Sequence, residues 1–297
     1  MVTINIRGGA GNQMFQYAFA KALARAKNTD FRLDLTQLLD RTPRSITFRN
    51  YELGAFRIAP CFTLLSRLAM KLSAPLIYLG VSYALTRAKD IAGIQKRVVE
   101  RKIGFHPEIF SIKGDVYLDG WWQSEKYFKS IEREVREDFS FRAPLTSELK
   151  VIGERMGQDD SVCLHVRRGD YVTNPNASRE IGFVGKNYYE RALEFIVKRV
   201  PSPRFFVFSD DIPWCRENLR TGFLTEFIGA DYAGGRWYEH LELMTLCKHF
   251  VIANSSFSWW AAWLGSRPGK IVIAPKRWFN DPDLSSKDVV PESWIRV

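Results

Sequence analysis

From residue 161 onward, short apolar runs alternate with stretches of helical periodicity, and this alternation narrows the fold more than any other feature. Runs 161–166, 205–208, 224–228, 249–253 and 271–274 are short and largely apolar and read as strands, the first as a buried one. Between them, 186–199, 213–219, 239–247 and 257–264 read as helices; Tyr189, Leu193 and Ile196 share one face of the first. Repeated βα units of this length predict a parallel sheet with helices on both faces. In such a sheet the C-terminal strand ends lie along one edge, where ligands bind. Three of those ends carry polar clusters: His165 to Tyr171, Ser209-Asp210-Asp211 and Asn254-Ser255-Ser256.

The first cluster is the richest in chemistry. Arg167 and Arg168, fixed at a strand end, can neutralise a diphosphate without a metal, because a planar guanidinium donates parallel charge-assisted bonds to phosphate oxygens. Asp170 is placed to hold that fork or to face a ligand hydroxyl. Asp210 and Asp211 suit a base edge or a ribose. Ser255, Ser256 and Ser258, with the amides of the helix that begins there, suit phosphate oxygens. Each cluster alone has an ordinary explanation, since Asp and Ser cap helices routinely and paired arginines at a strand end can be a solvated charge cluster. Three on one edge favour a nucleotide site. Arg168-Gly169-Asp170 also spells an adhesion tripeptide, a match expected by chance and badly placed at a sheet end.

The N-terminal half opens on a strand at 2–7, a glycine loop Arg7-Gly8-Gly9-Ala10-Gly11-Asn12-Gln13, and a helix on which Phe15, Ala18, Phe19, Ala22, Leu23 and Ala26 align. Phe31 to Leu35 reads as the second strand. A dinucleotide fingerprint is incomplete here, because Met14 stands where the third glycine belongs. Asp34 nevertheless sits at roughly the distance of a ribose-binding acid, so that alternative stays open. Strand 116–122 and a helix over 124–139 follow. Arg142-Ala143-Pro144 breaks that helix and places the domain boundary, dividing 1–145 from 146–297.

The formal charge of +10 points to an anionic partner: nucleotide phosphates, nucleic acid or a membrane surface. No block of five basic residues occurs, which argues against a nucleic-acid tail. Nine tryptophans suggest stacking surfaces as well as core. The four cysteines have no metal spacing and read as reduced core thiols. With no signal-peptide pattern at the start, a cytoplasmic protein is expected. Stretch 61–86 is the most apolar, but Arg67, Lys71 and Pro75 interrupt it, which excludes a spanning helix. It reads as helices packed over the first domain or as a basic, apolar surface resting peripherally on the inner face of a membrane.

Five stretches together resemble bacterial α-1,2-fucosyltransferases of glycosyltransferase family 11. They are Gly8 to Phe19, Gly120-Trp121-Trp122-Gln123-Ser124-Glu125-Lys126-Tyr127-Phe128, His165 to Tyr171, Phe208 to Asp211, and Cys247 to Trp260. They span nearly the whole chain in family order. The resemblance implies an α/β GT-B-like fold of two Rossmann-like domains facing across a cleft, an acceptor-side N-terminal domain and a GDP-sugar-binding C-terminal one. It implies GDP-β-L-fucose as donor and inversion to an α-1,2 link on a terminal galactose of an oligosaccharide, in O-antigen or capsule synthesis. It further implies Arg167 as the phosphate clamp, His165 as a nucleotide contact and Asp170 as their organiser. Arg168, Asp210, Asp211, Asn254, Ser255 and Ser256 would complete the donor site. Protein O-fucosyltransferases share the Gly-x-x-Gly-Asn-Gln loop, and their asparagine contacts the accepting hydroxyl, a role that falls here on Asn12. No metal and no cofactor are expected, GDP-fucose being a substrate.

Two departures from related enzymes stand out. The α-1,6 relatives carry a glutamate base just beyond the Arg-Asp motif, where this chain has Val172-Thr173-Asn174-Pro175. An acid in the helix before the Asn-Ser-Ser strand could be Glu239 or Glu242, with His240 competing. The general base is therefore left unassigned, as are the acceptor oligosaccharide and the oligomeric state.

Overall fold

The computed structural model describes residues 1–39, 49–59, 61–72, 84, 95–158, 160–229 and 236–297. They form two compact units, Met1–Arg142 with Lys287–Val289, and Ala143–Ser286 with Val290–Val297.

In the first unit the fully buried strand Val2–Asn5 (β1) leads into Ala10–Ala26 (α1), which buries Met14, Phe15, Ala18, Phe19 and Ala22. Phe31–Asp34 (β2), Thr36–Leu39 (α2), Leu64–Leu72 (α3), Gln95–Val99 (β3), Asp115–Asp119 (β4) and Glu132–Asp138 (α4) follow. The strands pair in the order β2-β1-β4-β3, all parallel. The helix expected over 124–139 is instead two 3-10 turns, Glu125–Tyr127 and Lys129–Ile131, before α4. Tyr127 and Phe128 are both buried, packed against Phe19 and Phe15 respectively, and Ser124 caps the first of these turns, accepting from Lys126 N at 3.3 Å.

The ribose-binding alternative for Asp34 is corrected by its surroundings. The carboxylate is buried and accepts hydrogen bonds from Thr36 N at 3.0 Å, Ser66 Oγ at 3.3 Å and Tyr117 Oη at 2.9 Å. Its acceptors are spent inside the unit, which is how a buried carboxylate becomes tolerable. Of the apolar stretch 61–86, residues 73–83 and 85–86 lie outside the described residues. Within α3, Ser66 is buried while Leu64 and Met70 are exposed. Among the described residues no helix is long and apolar enough to cross a membrane.

The second unit comprises Ser147–Gln158 (α5), Ser161–Val166 (β5), Gly169–Thr173 (α6), Pro175–Glu180 (α7), Lys186–Val197 (α8), Arg204–Ser209 (β6), Ile212–Asn218 (α9), Thr225–Ile228 (β7), Trp237–Leu246 (α10), His249–Val251 (β8), Ser256–Leu264 (α11), Val272–Ala274 (β9) and Ile295–Arg296 (β10). Its six strands run parallel in the order β10-β9-β8-β5-β6-β7. Tyr188, Tyr189, Ala192, Leu193 and Ile196 of α8 share one core with Val162, Leu164, Val207 and Val251. Two tyrosine hydroxyls on that face also pin strand ends: Tyr188 donates to Ile252 O at 2.6 Å and Tyr189 to His165 O at 3.2 Å. Six tryptophans, Trp122, Trp259, Trp260, Trp263, Trp278 and Trp294, are buried as core, so only Trp121, Trp214 and Trp237 retain exposure for stacking. All four cysteines are free.

Two buried histidines tie this unit's stability to pH. Burial and the neighbouring Arg167 and His240 push His165 down to about 3, and burial with Lys248 pushes His249 down to about 4. Both rings are neutral when folded and protonate more readily when unfolded, so stability is lost as pH falls below roughly 6.5. Glu242, pushed up to about 7 by burial and by Glu239, opposes them between its ordinary 4.5 and 7, while burial lowers His240 as well and adds to the histidine side. The unfolding midpoint is expected to drop between about pH 6.5 and 5. His249→Asn keeps an acceptor for Ile271 N, which donates to His249 Nδ1 at 3.1 Å, and should flatten that slope in thermal melts. An unchanged slope would remove His249 from the account.

Candidate active site

β5 has β6 on one side and β8 on the other, so the winding of the second sheet reverses at β5. A crevice at the carboxyl ends of such strands is where open α/β sheets bind ligands. The residues that follow β5, β6 and β8 are the three polar clusters, and the strand order places them side by side.

Arg167 leaves the end of β5 with its guanidinium held from two directions. Nη2 donates to Asp170 Oδ1 at 2.7 Å, and Nη1 lies 2.9 Å from Asp210 Oδ2. Burial works against the charged form, but Asp210 and Asp170 outweigh it and raise its pKa. The Tyr171 ring lies 5.6 Å from the guanidinium carbon. Two carboxylates thus fix the plane of the fork while the remaining N–H groups are not engaged by them. The register pairs Val166 with Ser209, which sets Arg167 opposite Asp210. Gly169 makes this possible: a Cβ there would come within 2.4 Å of Asp210 Oδ2.

Arg168 turns elsewhere. Its backbone N–H donates to Asp210 Oδ1 at 2.9 Å and its Nε to Asp211 Oδ2 at 2.9 Å. Its guanidinium carbon lies 4.5 Å from the Trp214 ring centroid and 5.0 Å from that of Phe183. Asp211 Oδ1 also caps α9, accepting from Trp214 N at 3.1 Å. Arg168 and Asp211 therefore lock the loops after β5 and β6 together. Two arginines face three carboxylates here, so a bound diphosphate also needs donors from outside the pair.

Such donors lie beyond β8. Ser255 caps α11, accepting from Phe257 N at 3.3 Å, and Ser256 is the first residue of that helix, half exposed. Asn254 is buried; its Nδ2 donates to Gly182 O at 2.9 Å and Trp278 O at 3.0 Å, so it ties two loops to the strand end. Ser258 is buried and donates to Ser255 O at 3.3 Å. His165 is buried at the base of the crevice, with Phe257 at 6.2 Å between ring centroids and its Nδ1 without a hydrogen-bond partner. It stays neutral, and can give or take one proton in a hydrogen bond.

On α10, Glu239 is buried, accepting from Thr146 N at 3.2 Å through Oε1 and pairing with Arg236 Nε at 2.8 Å through Oε2. The His240 ring packs 5.9 Å from Phe208, at the end of β6. Asp281 and Asp283 form a local turn, Asp283 N donating to Asp281 Oδ1 at 2.9 Å. Among the described residues no three His, Cys, Asp or Glu side chains converge as a metal site.

Asn12 belongs to the first unit and does not cap α1, since that place is held by Gly9 with no side-chain cap bond. Its Oδ1 accepts from Gln123 Nε2 at 2.7 Å. The carboxamide is thereby oriented, with its Nδ2 against Gly8, where a Cβ would come within 2.6 Å. Phe183, Trp214, Phe257 and the α8 tyrosines were not singled out from sequence for this site. Nothing in their spacing separates them from ordinary core aromatics.

The family model described as glycosyl transferase family 11 matches residues 106–297. An alpha-1,2-colitosyltransferase of Escherichia coli is 33% identical over 100% of this chain and 99% of that protein. The O-antigen biosynthesis glycosyltransferase WbnK of Escherichia coli is 31% identical over 98% and 99%. Bovine galactoside 2-alpha-L-fucosyltransferase SEC1 is 26% identical over 88% of this chain and 64% of that one. Two solved structures share the fold at low identity. A mutant of Arabidopsis thaliana FUT1 in complex with GDP superposes with a TM-score of 0.52 at 10% identity, over 92% of this chain and 70% of that one. Fucosyltransferase NodZ from Bradyrhizobium gives 0.50 at 14%, over 88% and 90%. The architecture is the α/β, GT-B-like one, with a parallel sheet in each unit.

Proposed function

The chain belongs to glycosyltransferase family 11, and we propose that it moves L-fucose from GDP-β-L-fucose to the 2-hydroxyl of a terminal galactose on an oligosaccharide, with inversion to an α-1,2 link. The observation that carries this reading is Arg167, a guanidinium fixed by Asp170 and Asp210 at the switch point of the second sheet. Its free N–H groups and the N-terminal amides of α11 are suited to the diphosphate. Asp210 and Asp170 act by orienting Arg167, while Arg168, Asp211 and Asn254 hold the loops that carry it. Ser255 and Ser256 open the amide end of α11, and neutral His165 contacts the nucleotide.

In the reaction the galactose O2–C1 bond forms as the bond from C1 to the β-phosphate oxygen breaks, through an oxocarbenium-like state. The electron pair leaves with GDP, so negative charge grows on the diphosphate. A donor already aimed at that charge stabilises the transition state more than the ground state. Asn12, its amide oxygen held by Gln123, presents a donor that orients the accepting hydroxyl. The proton of that hydroxyl leaves to a general base on the acceptor side, and Asn12 acts only by orienting the hydroxyl oxygen.

With an arginine fork and helix amides facing the phosphates, no metal and no cofactor beyond the donor are required. Full activity is expected in excess chelator, and a strict need for added divalent ion would contradict this. A second donor is favoured by one observation, the full-length likeness to an alpha-1,2-colitosyltransferase. Colitose lacks only the 3-hydroxyl of fucose, so the same clamp would serve both. The deciding experiment offers GDP-fucose and GDP-colitose in turn with galactose-terminated oligosaccharides and assigns the product linkage by NMR. An α-1,2-fucosyl galactoside is expected; colitosyl transfer alone would reassign the donor, and no transfer from either would sink the reading.

A further inference from the structure

The carboxyl edge of the first sheet carries a cluster that donor binding does not use. After β4 the chain turns through Gly120-Trp121-Trp122-Gln123. Trp122 has φ +56, in the left-handed region that bulky residues rarely adopt. Glu100, just past β3, holds this turn: its Oε2 accepts from Trp121 N at 2.6 Å and Trp122 N at 3.0 Å. Its other oxygen is buried without a hydrogen-bond partner. Gly120 is hemmed in, since a Cβ there would lie 2.5 Å from Glu100 Cβ and 2.8 Å from the Trp122 ring. A non-glycine residue in this backbone region costs stability and persists only where its surroundings over-determine it.

The strain separates the two indoles. Trp122 goes into the core, 4.9 Å from Phe19 and 5.8 Å from Tyr127 between ring centroids. Trp121 is left half exposed, with the Arg7 guanidinium carbon 4.3 Å from its ring centroid. Arg7 is anchored by Asp119 at 3.5 Å, and Asp119 also accepts from Asn5 at 3.2 Å and Arg97 at 2.7 Å. Gly8, at φ +76, brings the backbone against both Asn12 and Trp121: a Cβ there would meet Asn12 Nδ2 at 2.6 Å and the indole at 3.0 Å. A purely structural turn would bury Trp121 as it buries Trp122. Here a rigid aromatic face is instead kept in reach of solvent beside an oriented amide, within one unit.

We propose that Trp121 is a stacking platform for the acceptor pyranose and that Glu100 is the positioning residue that holds it. This rests on the galactoside-acceptor reading above. The class of sugar follows from its shape. The axial 4-hydroxyl of galactose leaves the C–H groups at C3, C4 and C5 together on one face, an apolar patch that suits an indole. A ring stacked through that patch keeps its 2-hydroxyl free for the Asn12 amide.

The test is saturation-transfer NMR with methyl β-galactoside, alongside acceptor KM and GDP affinity. In the wild-type enzyme H3, H4 and H5 are expected to receive the most saturation. Trp121→Leu should lose that pattern and raise acceptor KM about tenfold or more, with GDP affinity unchanged. Trp121→Phe, which keeps an aromatic face, should retain part of both, and it decides the matter if the leucine variant melts early. Glu100→Ala should raise acceptor KM, and Glu100→Gln, whose amide oxygen can accept the same two N–H groups, should restore it. Wild-type-like KM and saturation in folded Trp121→Leu would overturn the platform, as would a wild-type pattern not centred on H3 to H5. Failure of the wild-type enzyme to transfer to any galactoside would instead overturn the acceptor reading, which the binding pattern of the free sugar does not presuppose.

Discussion

Arg167→Lys is expected to lower kcat/KM about 100–1000-fold, the scale of losing one well-placed electrostatic donor. The substitution keeps the charge and removes the fork. In the native protein Asp170 and Asp210 take different nitrogens of one plane, at 2.7 and 2.9 Å, and so aim the remaining N–H groups. An ammonium is a point donor on a flexible stem; drawn to either carboxylate, it would no longer be aimed. The loss should exceed any loss of stability, with the unfolding midpoint within about 4 °C of wild type, because charge balance in the cluster is unchanged. Steady-state kinetics with GDP-fucose, beside a thermal melt, check both. A folded lysine variant with near-normal turnover would release Arg167 from its role.

The second large effect is expected at Asn12. Asn12→Ser should lower turnover about a hundredfold or more, on the scale of misplaced reacting groups, while GDP affinity stays nearly unchanged. Helix capping does not enter, because Gly9 holds the cap position and the Asn12 side chain instead accepts from Gln123 at 2.7 Å. A serine hydroxyl is too short to keep both that contact and the donor on its far side. Since the GDP site proposed above is built from residues of the second unit, the loss should appear in kcat rather than in donor affinity. An Asn12→Ser enzyme with wild-type turnover would leave Asn12 as a purely structural partner of Gln123.

The second sheet was legible because its central strands are buried on both faces and carry continuous apolar runs, as in Val162-Cys163-Leu164 and Phe205-Phe206-Val207-Phe208. The first sheet was less so. Gln95–Val99 is an edge strand whose Lys96 and Arg97 face solvent, so its composition hides the pairing with β4. The short helices Gly169–Thr173 and Pro175–Glu180 read as loop because neither is long enough to show a period. At the site, the Arg167–Asp170 pair could be anticipated from their spacing of three. The tie to Asp210 depends on strand order and register, which no local pattern states. Arg168 shows the limit most clearly. Adjacent arginines look equivalent in sequence, yet one side chain lies between two carboxylates and the other against Trp214 and Phe183. Asp34 misled for a related reason: its distance from the glycine loop suits a ribose, and only its burial against Thr36, Ser66 and Tyr117 shows that its oxygens are taken.

The central claim is that Arg167 receives the β-phosphate of the donor nucleotide, and titration calorimetry with GDP and GMP addresses it directly. The two ligands share base, ribose and α-phosphate, so their difference in affinity isolates the β-phosphate. Wild-type protein is expected to favour GDP over GMP by about tenfold or more, as one charge-assisted contact would give. In Arg167→Lys that preference is expected to collapse toward unity while GMP affinity is kept. A lysine variant that still distinguishes GDP from GMP as the wild type does would contradict the claim.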